Sequence, residues 1–353
     1  MTITEMPQGC SIASHRDSRW RAGIAPLIAF LLTFSLSDIG LAQTDGDIVI
    51  TRRADSDSVK RRGKIVEWKG ASLTLNTTAR NREIDNDEIV EIQTQWSEDY
   101  HSGITELKIG KTQIGIVKLQ EALRNESRPW AKRIIRSHLV DGFMSIEKHA
   151  DAVEQFLQII REDPYTRFIN ITPLPWTGST HSLDRPARKW IESNDSLTQL
   201  IGASWLLGGT DRDKAIVILE QLTKDFDAGI RNLAIAQLWR VRATANPKQI
   251  AVWQGIVEKM PRSLRAGPYL VLSEAQSRVD QVDDALVNLM RIPIQYPQQR
   301  TLAAAALYRT ARLLHNRGQA GRAQSVLNEL VTKYPQTIWA DQAAPSELNP
   351  SKQ

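Results

Sequence analysis

The chain has 353 residues, 41% of them hydrophobic and 24% charged, the balance of a globular protein long enough for two or three cored domains. Its formal net charge of +5 is spread along the sequence and argues only weakly for acidic partners. The one cysteine, Cys10, lies in a segment expected to be removed, which excludes a disulfide, a thiol nucleophile or a thiolate metal ligand in the mature chain.

Residues 1–42 read as an export signal. Arg19 and Arg21 precede an apolar run from Ala22 to Leu36, and Gly40 and Ala42 supply the small residues for a cut after Ala42. The run is about half to three-quarters of a membrane-spanning helix, which favours a cleaved leader. A retained anchor is the alternative, since Asp38 stands close to the cut. Cys10 does not follow the apolar run, so it is not a lipoprotein attachment site. Export places the protein in the periplasm or outside the cell.

Residues 43–95 are expected to form a small β module. "DIVIT", "GKIVEW", "SLTLN", "REI" and "EIVEIQT" are short apolar runs separated by turn residues. Lys69-Gly70 is placed at a hairpin turn, with Leu73 and Leu75 facing one side and Thr74 the other. Five such strands would close into a barrel. The stretch "GKIVEWKGASLTL" resembles the second and third strands of Sm-like small barrels, which implies an RNA-binding alternative through Arg52, Arg53, Lys60, Arg61, Arg62 and Lys64. Base stacking needs exposed aromatics among the cations, and Trp68 is the module's only aromatic before Trp96. A solvated, edge-protecting strand face explains the same charges.

From Trp96 the apolar spacing turns helical. "GIVKLQEAL", "DAVEQFLQIIRE", "KAIVILEQLTK", "RNLAIAQLWRVR", "QIAVWQGIVEK" and "AQSVLNELVTK" place apolar residues at i, i+3, i+4 and i+7. Aligning them on a small residue yields a register. Ala152, Phe156, Ile159 and Pro164 match Ala285, Leu289, Ile292 and Pro297, and again Ala323, Leu327, Leu330 and Pro335. Weaker copies run through Gly115, Leu119 and Ala122, and through Ala215, Leu219 and Leu222. The small residue lets paired helices approach, the larger ones fill the same face, and proline stops the helix.

Preceding helices carry Leu139 and Phe143, Tyr269 and Leu272, and the stripe Leu307, Ala311 and Leu314, with Gly318 turning the last pair. Residues 229–260 hold two helices without the signature. The pattern resembles the tetratricopeptide repeat, a helix–turn–helix unit of about 34 residues. The ending "AAALYRTARLLHNRGQAGRAQSVLNELVTKYPQTIWADQA" is similar to tetratricopeptide proteins of the bacterial cell envelope. The resemblance implies a mostly α chain: a solenoid over 96–343, preceded by the five-stranded module and followed by a tail at 344–353. It also implies a non-catalytic scaffold for a protein or peptide.

Stacked helix pairs present their first helices on a concave side. Tyr308, Arg312 and His315 stand at i, i+4 and i+7 with Asn316 beside them, and Glu274 and Arg278 hold comparable places one copy earlier. This face suits a peptide carboxylate or backbone, although any amphipathic helix shows water a polar side. An insert at 165–196 interrupts the register. It either crosses the groove and offers Trp176 to a partner, or is pinned by Trp176 and Trp190. Peripheral membrane association stays open, and nothing reports oligomeric state.

No chemistry is expected. Gly110-Lys111-Thr112 lacks the phosphate-loop glycine, that position being Thr105. Ser179, His181 and Asp184 have no nucleophile elbow. The histidines never pair at metal-ligand spacing. Asp55-Ser56-Asp57 and Asp85-Asn86-Asp87 lack the remaining calcium-loop ligands, and Asp283-Asp284 suits a helix start. No cofactor or metal is assigned.

Overall fold

The computed structural model describes residues 46–52, 58–177, 183–242 and 245–343. The export signal with Cys10, the tail, and Arg53, Asp55-Ser56-Asp57, Ser179 and His181 lie outside these residues.

Five strands form the N-terminal module: β1 (Asp47–Arg52), β2 (Ser58–Lys69), β3 (Ser72–Asn76), β4 (Asn81–Asp85) and β5 (Ile89–Gln93). They pair antiparallel in the order β4-β3-β2-β1-β5. The expected closed barrel is corrected to an open five-stranded sheet among the described residues, its two halves joined by β2, twelve residues long. Its first half pairs β1, its second half pairs β3, and a register shift separates Ile65 from Glu67. Such irregularities bend a strand and increase its twist. Among the described residues no ladder joins β4 to β5, so these two strands are the edges of the sheet.

The inward residues Val49, Ile65, Trp68, Leu73, Leu75 and Ile84 form a core that includes Trp130, Ala131 and Ile134 of a helix, α3 (Pro129–Ser145). Polar contacts fasten the same seam. Trp130 Nε1 donates to the Ile65 carbonyl at 3.2 Å, and Arg133, 2% exposed, donates to the Trp68 carbonyl at 2.8 Å. Gly70 makes the expected hairpin turn with φ 56°, a conformation costly for residues bearing a Cβ. Its N–H is held by the Asp163 carboxylate.

Among the described residues thirteen further helices are α1 (Glu98–Lys108), α2 (Thr112–Asn125), α4 (His149–Glu162), α5 (Asp184–Trp190), α6 (Ser196–Leu206), α7 (Arg212–Leu222), α8 (Ala228–Trp239), α9 (Pro247–Lys259), α10 (Ala266–Arg278), α11 (Val282–Gln295), α12 (Arg300–Asn316), α13 (Ala320–Lys333) and α14 (Ile338–Ala343). Among the described residues five pairs pack closely, α1 with α2, α3 with α4, α6 with α7, α10 with α11 and α12 with α13; α8 and α9 both pack on α10, and α14 caps the last pair. The register explains the second helix of each pair. Ala152, Phe156 and Ile159 in α4, Ala285, Leu289 and Ile292 in α11, and Ala323, Leu327 and Leu330 in α13 are all buried. So are Leu119 and Ala122 in α2, and Ala215, Leu219 and Leu222 in α7. The signature-free pair, α8 and α9, joins the stack through other residues: the rings of Trp239 and Trp253 lie parallel, 4.8 Å apart.

First helices behave differently from an open wall. α6 and α10 are buried almost all round, as expected of helices with material on both sides. α12 returns to α3. At the turns, a Cβ added to Gly110 would lie 3.0 Å from Pro335 Cγ, so the first and last pairs meet.

The inner side is also occupied by the insert. Its 3-10 turn, Arg167–Ile171, leads into Thr172–Trp176. Trp205 Nε1 of α6 donates to the Pro173 carbonyl at 3.0 Å. Ile169 abuts Gly229 of α8, and the Trp176 indole abuts Gly267 of α10. The expected open concave trough is therefore corrected. The insert crosses it, because the small residues on α8 and α10 leave room for bulky apolar side chains.

Candidate binding site

Two features remain on the inner side, a column of charges and a cavity. The column arises from repeat spacing. Arg240, Glu274 and Arg309 stand at the same level of three successive first helices, 34 and 35 residues apart, about one repeat. Arg309 Nη1 donates to Glu274 Oε2 at 3.1 Å, and Glu274 also holds Arg278. Burial lowers the Arg309 pKa, partly offset by Glu274, and Arg278 and Arg312 lower it further. Arg240 is lowered to about 10 by burial, with its guanidinium on the Ser204 carbonyl at 3.2 Å.

The residues expected to bind a partner are thus divided. Glu274, Arg278 and Arg312 cluster around Arg309, with Arg278 and Arg312 exposed. Tyr308 turns away toward α14, its ring 5.4 Å from that of Trp339. His315 is half-buried, its Nδ1 shielded and without a partner, while Asn316 is exposed at the end of α12. Trp176 is only 8% exposed. It is pinned on Gly267, whose added Cβ would fall 2.1 Å from the indole.

Arg240 and Arg309 were not singled out by the pattern of one helix. The 34-residue recurrence of charged residues across copies was the signal that could have found them.

The cavity has a volume of about 430 Å³, within the roughly 300–1,000 Å³ usual for small-ligand pockets. It lies among the end of α3, the insert, α6, the start of α12, and α14. Trp176, Trp205 and Trp339 line it, together with Asp141, Glu147 and Arg300. Asp141 makes no hydrogen bond or ion pair among the described residues, and burial raises its carboxyl to about 7. The Trp339 Nε1 is also buried without an acceptor. Arg300 lies over the Tyr334 ring at 5.6 Å, and burial lowers its pKa. None of these cavity residues except Trp176 was anticipated, because they meet from five separate stretches of chain.

A second perturbed group lies between α1 and α3. His138 Nε2 lies 3.3 Å from the Tyr100 hydroxyl. Burial first, then Lys108 and Arg167, lowers His138 to about 4. Burial raises Tyr100 to about 12. The Arg167 guanidinium covers Trp68 at 3.6 Å, so this aromatic, itself 8% exposed, offers no stacking surface. Lys60, Arg62 and Lys64 are exposed on one side of β2, whereas Arg61 bonds Thr51.

Gly110-Lys111-Thr112 forms the α1–α2 turn, as expected. Asn86 braces the β module, accepting from Trp68 Nε1 at 2.6 Å and donating to the Gly70 carbonyl at 2.8 Å. Among the described residues there is no group of three or more His, Cys, Asp or Glu suited to a metal ion. No helix among them is long and apolar enough to cross a membrane.

The tetratricopeptide repeat family model matches residues 305–337. The match gives this segment tetratricopeptide-repeat character. It covers most of α12, all of α13 and the following turn, including Ala311, Ala323, Leu327, Leu330 and Pro335. The repeat character agrees with the helical solenoid and with the expected register. No curated protein matches the chain.

Proposed function

We propose that the chain is an exported, non-catalytic scaffold that holds another envelope protein or peptide on the inner side of its helical array. The observation that carries this reading is the repeat match at 305–337 within an array in which five helix pairs share one register. Tetratricopeptide repeats serve as protein-interaction modules. Since the insert fills the middle of the wall, the contact is assigned to Arg278, Arg312 and Asn316, with His315 beside them. Arg278 and Arg312 provide forked donors for a carboxylate, and Glu274 holds Arg278 in place. Crosslinking with mass spectrometry on the native envelope fraction should recover one dominant partner. Arg278→Glu with Arg312→Glu should abolish its capture without loss of helicity. An unchanged set of crosslinks in that variant would refute the assignment.

A second reading assigns an anionic polymer to the β module. It is favoured by the exposed series Lys60, Arg62 and Lys64, spaced two residues apart on β2. Salt-sensitive retention on heparin, lost when the three become Gln, would support it; retention no better than a neutral control would remove it.

A further inference from the structure

We propose that the cavity bounded by α3, the insert, α12 and α14 binds an alkylammonium group, with Asp141 as its counter-ion and Trp176, Trp205 and Trp339 as its aromatic walls. The argument begins with an unmet requirement. A carboxylate set in the wall of a cavity, its charge disfavoured by burial, is costly unless it takes a proton or meets a cation. Asp141 has no such partner among the described residues. Arg300 lines the same cavity, but its guanidinium lies over Tyr334, and burial alone accounts for the raised Asp141 pKa.

The surroundings favour a cation from outside. Indole faces attract ammonium groups through their quadrupole, and three tryptophans line one small space, Trp205 with the His149 ring against it at 4.7 Å. α3 ends at Ser145, four residues beyond Asp141, and Met144 and Ser145 also line the cavity. A helix C-terminus carries partial negative charge. Glu147 adds a second carboxylate where the chain leaves α3. The volume of about 430 Å³ accommodates either a free amine or the amino end of a peptide. The site stands apart from the scaffold reading: failed partner capture would leave this preference intact, and loss of amine binding would leave capture at Arg278 and Arg312 intact.

The test is calorimetric and fluorescence titration of the full chain at pH 7.5. The probes are trialanine amide with a free amino terminus, its N-acetylated form, propylamine and propionate. The free peptide, propylamine or both should bind saturably, and the acetylated peptide and propionate at least tenfold more weakly. Asp141→Asn should weaken amine binding at least tenfold. A peptide that binds tenfold better than propylamine identifies an amino terminus as ligand; equal binding identifies the amine alone. The proposal is overturned if no amine binds saturably, if acetylation costs nothing, if propionate is preferred, or if a folded Asp141→Asn chain binds amines as before. Comparing free with acetylated peptide needs only the unaltered chain, so it decides even if the variant does not fold.

Discussion

Arg309 of α12 bonds Glu274 of α10 at 3.1 Å, across two neighbouring first helices. The pair is asymmetric: the Arg309 side chain is 21% exposed and that of Glu274 is 40% exposed. Removing the acid leaves a shielded guanidinium without its acceptor, which costs more than losing an exposed ion pair. Glu274→Ala is expected to lower unfolding stability by about 1–2 kcal/mol. Arg309→Met in the same chain should restore part of that loss. Urea denaturation of the two single variants and the double variant checks this; additive losses would contradict it.

Asp141 sets a pH dependence with a definite sign. Its folded pKa is raised to about 7 from an unfolded value near 3.9. Between these values the folded state holds the extra proton, so this residue removes stability as pH rises and its effect levels off above pH 7. Asp141→Asn should therefore stabilise the chain at pH 8 by about 1–3 kcal/mol, with the gain shrinking toward pH 4. Urea midpoints for both chains across that range are the measurement. A gain that grew on acidification would show that the carboxyl is not buried in this way.

His138 acts oppositely. Its folded pKa is depressed to about 4 from about 6.5, so the unfolded state binds more protons between these values and stability falls on acidification. His138→Gln should flatten the acid limb over pH 4–6.5. An unaltered limb in urea denaturation at several pH values would count against the buried, neutral ring.

Trp176 and Gly267 should be strongly coupled. Gly267→Ala drives a methyl into the indole and is expected to cost about 1–3 kcal/mol. Trp176→Ala is expected to cost about 3–5 kcal/mol through the void it leaves. In the Trp176→Ala background, Gly267→Ala should cost almost nothing, since the obstructing ring is gone. Thermal unfolding of the four chains tests this, and equal costs in both backgrounds would separate the two residues.

Local pattern explains why the strands and paired helices were legible in the sequence. Alternating Leu73 and Leu75, and the small residues Ala152, Ala285 and Ala323, encode burial through neighbours within one element. The inner side was not legible in the same way. Trp176 reaches Gly267 across 91 positions of chain, and no periodicity reports which distant glycine will receive a tryptophan. Tyr308 matched a polar helical face yet sits against Trp339, because α14 follows and covers it. Asp141 and Trp339 likewise share a cavity only because α12 returns to α3. Propensity and spacing describe each helix; the curvature that joins them accumulates over the whole array.

That curvature has a consequence at Gly110 and Pro335. Open repeat arrays unravel from their tips and tolerate units being added or lost. Here the opening turn is clasped to the closing one, so neither tip is free to fray first. Such a hoop has a fixed number of members, and cutting it anywhere should loosen all of it together.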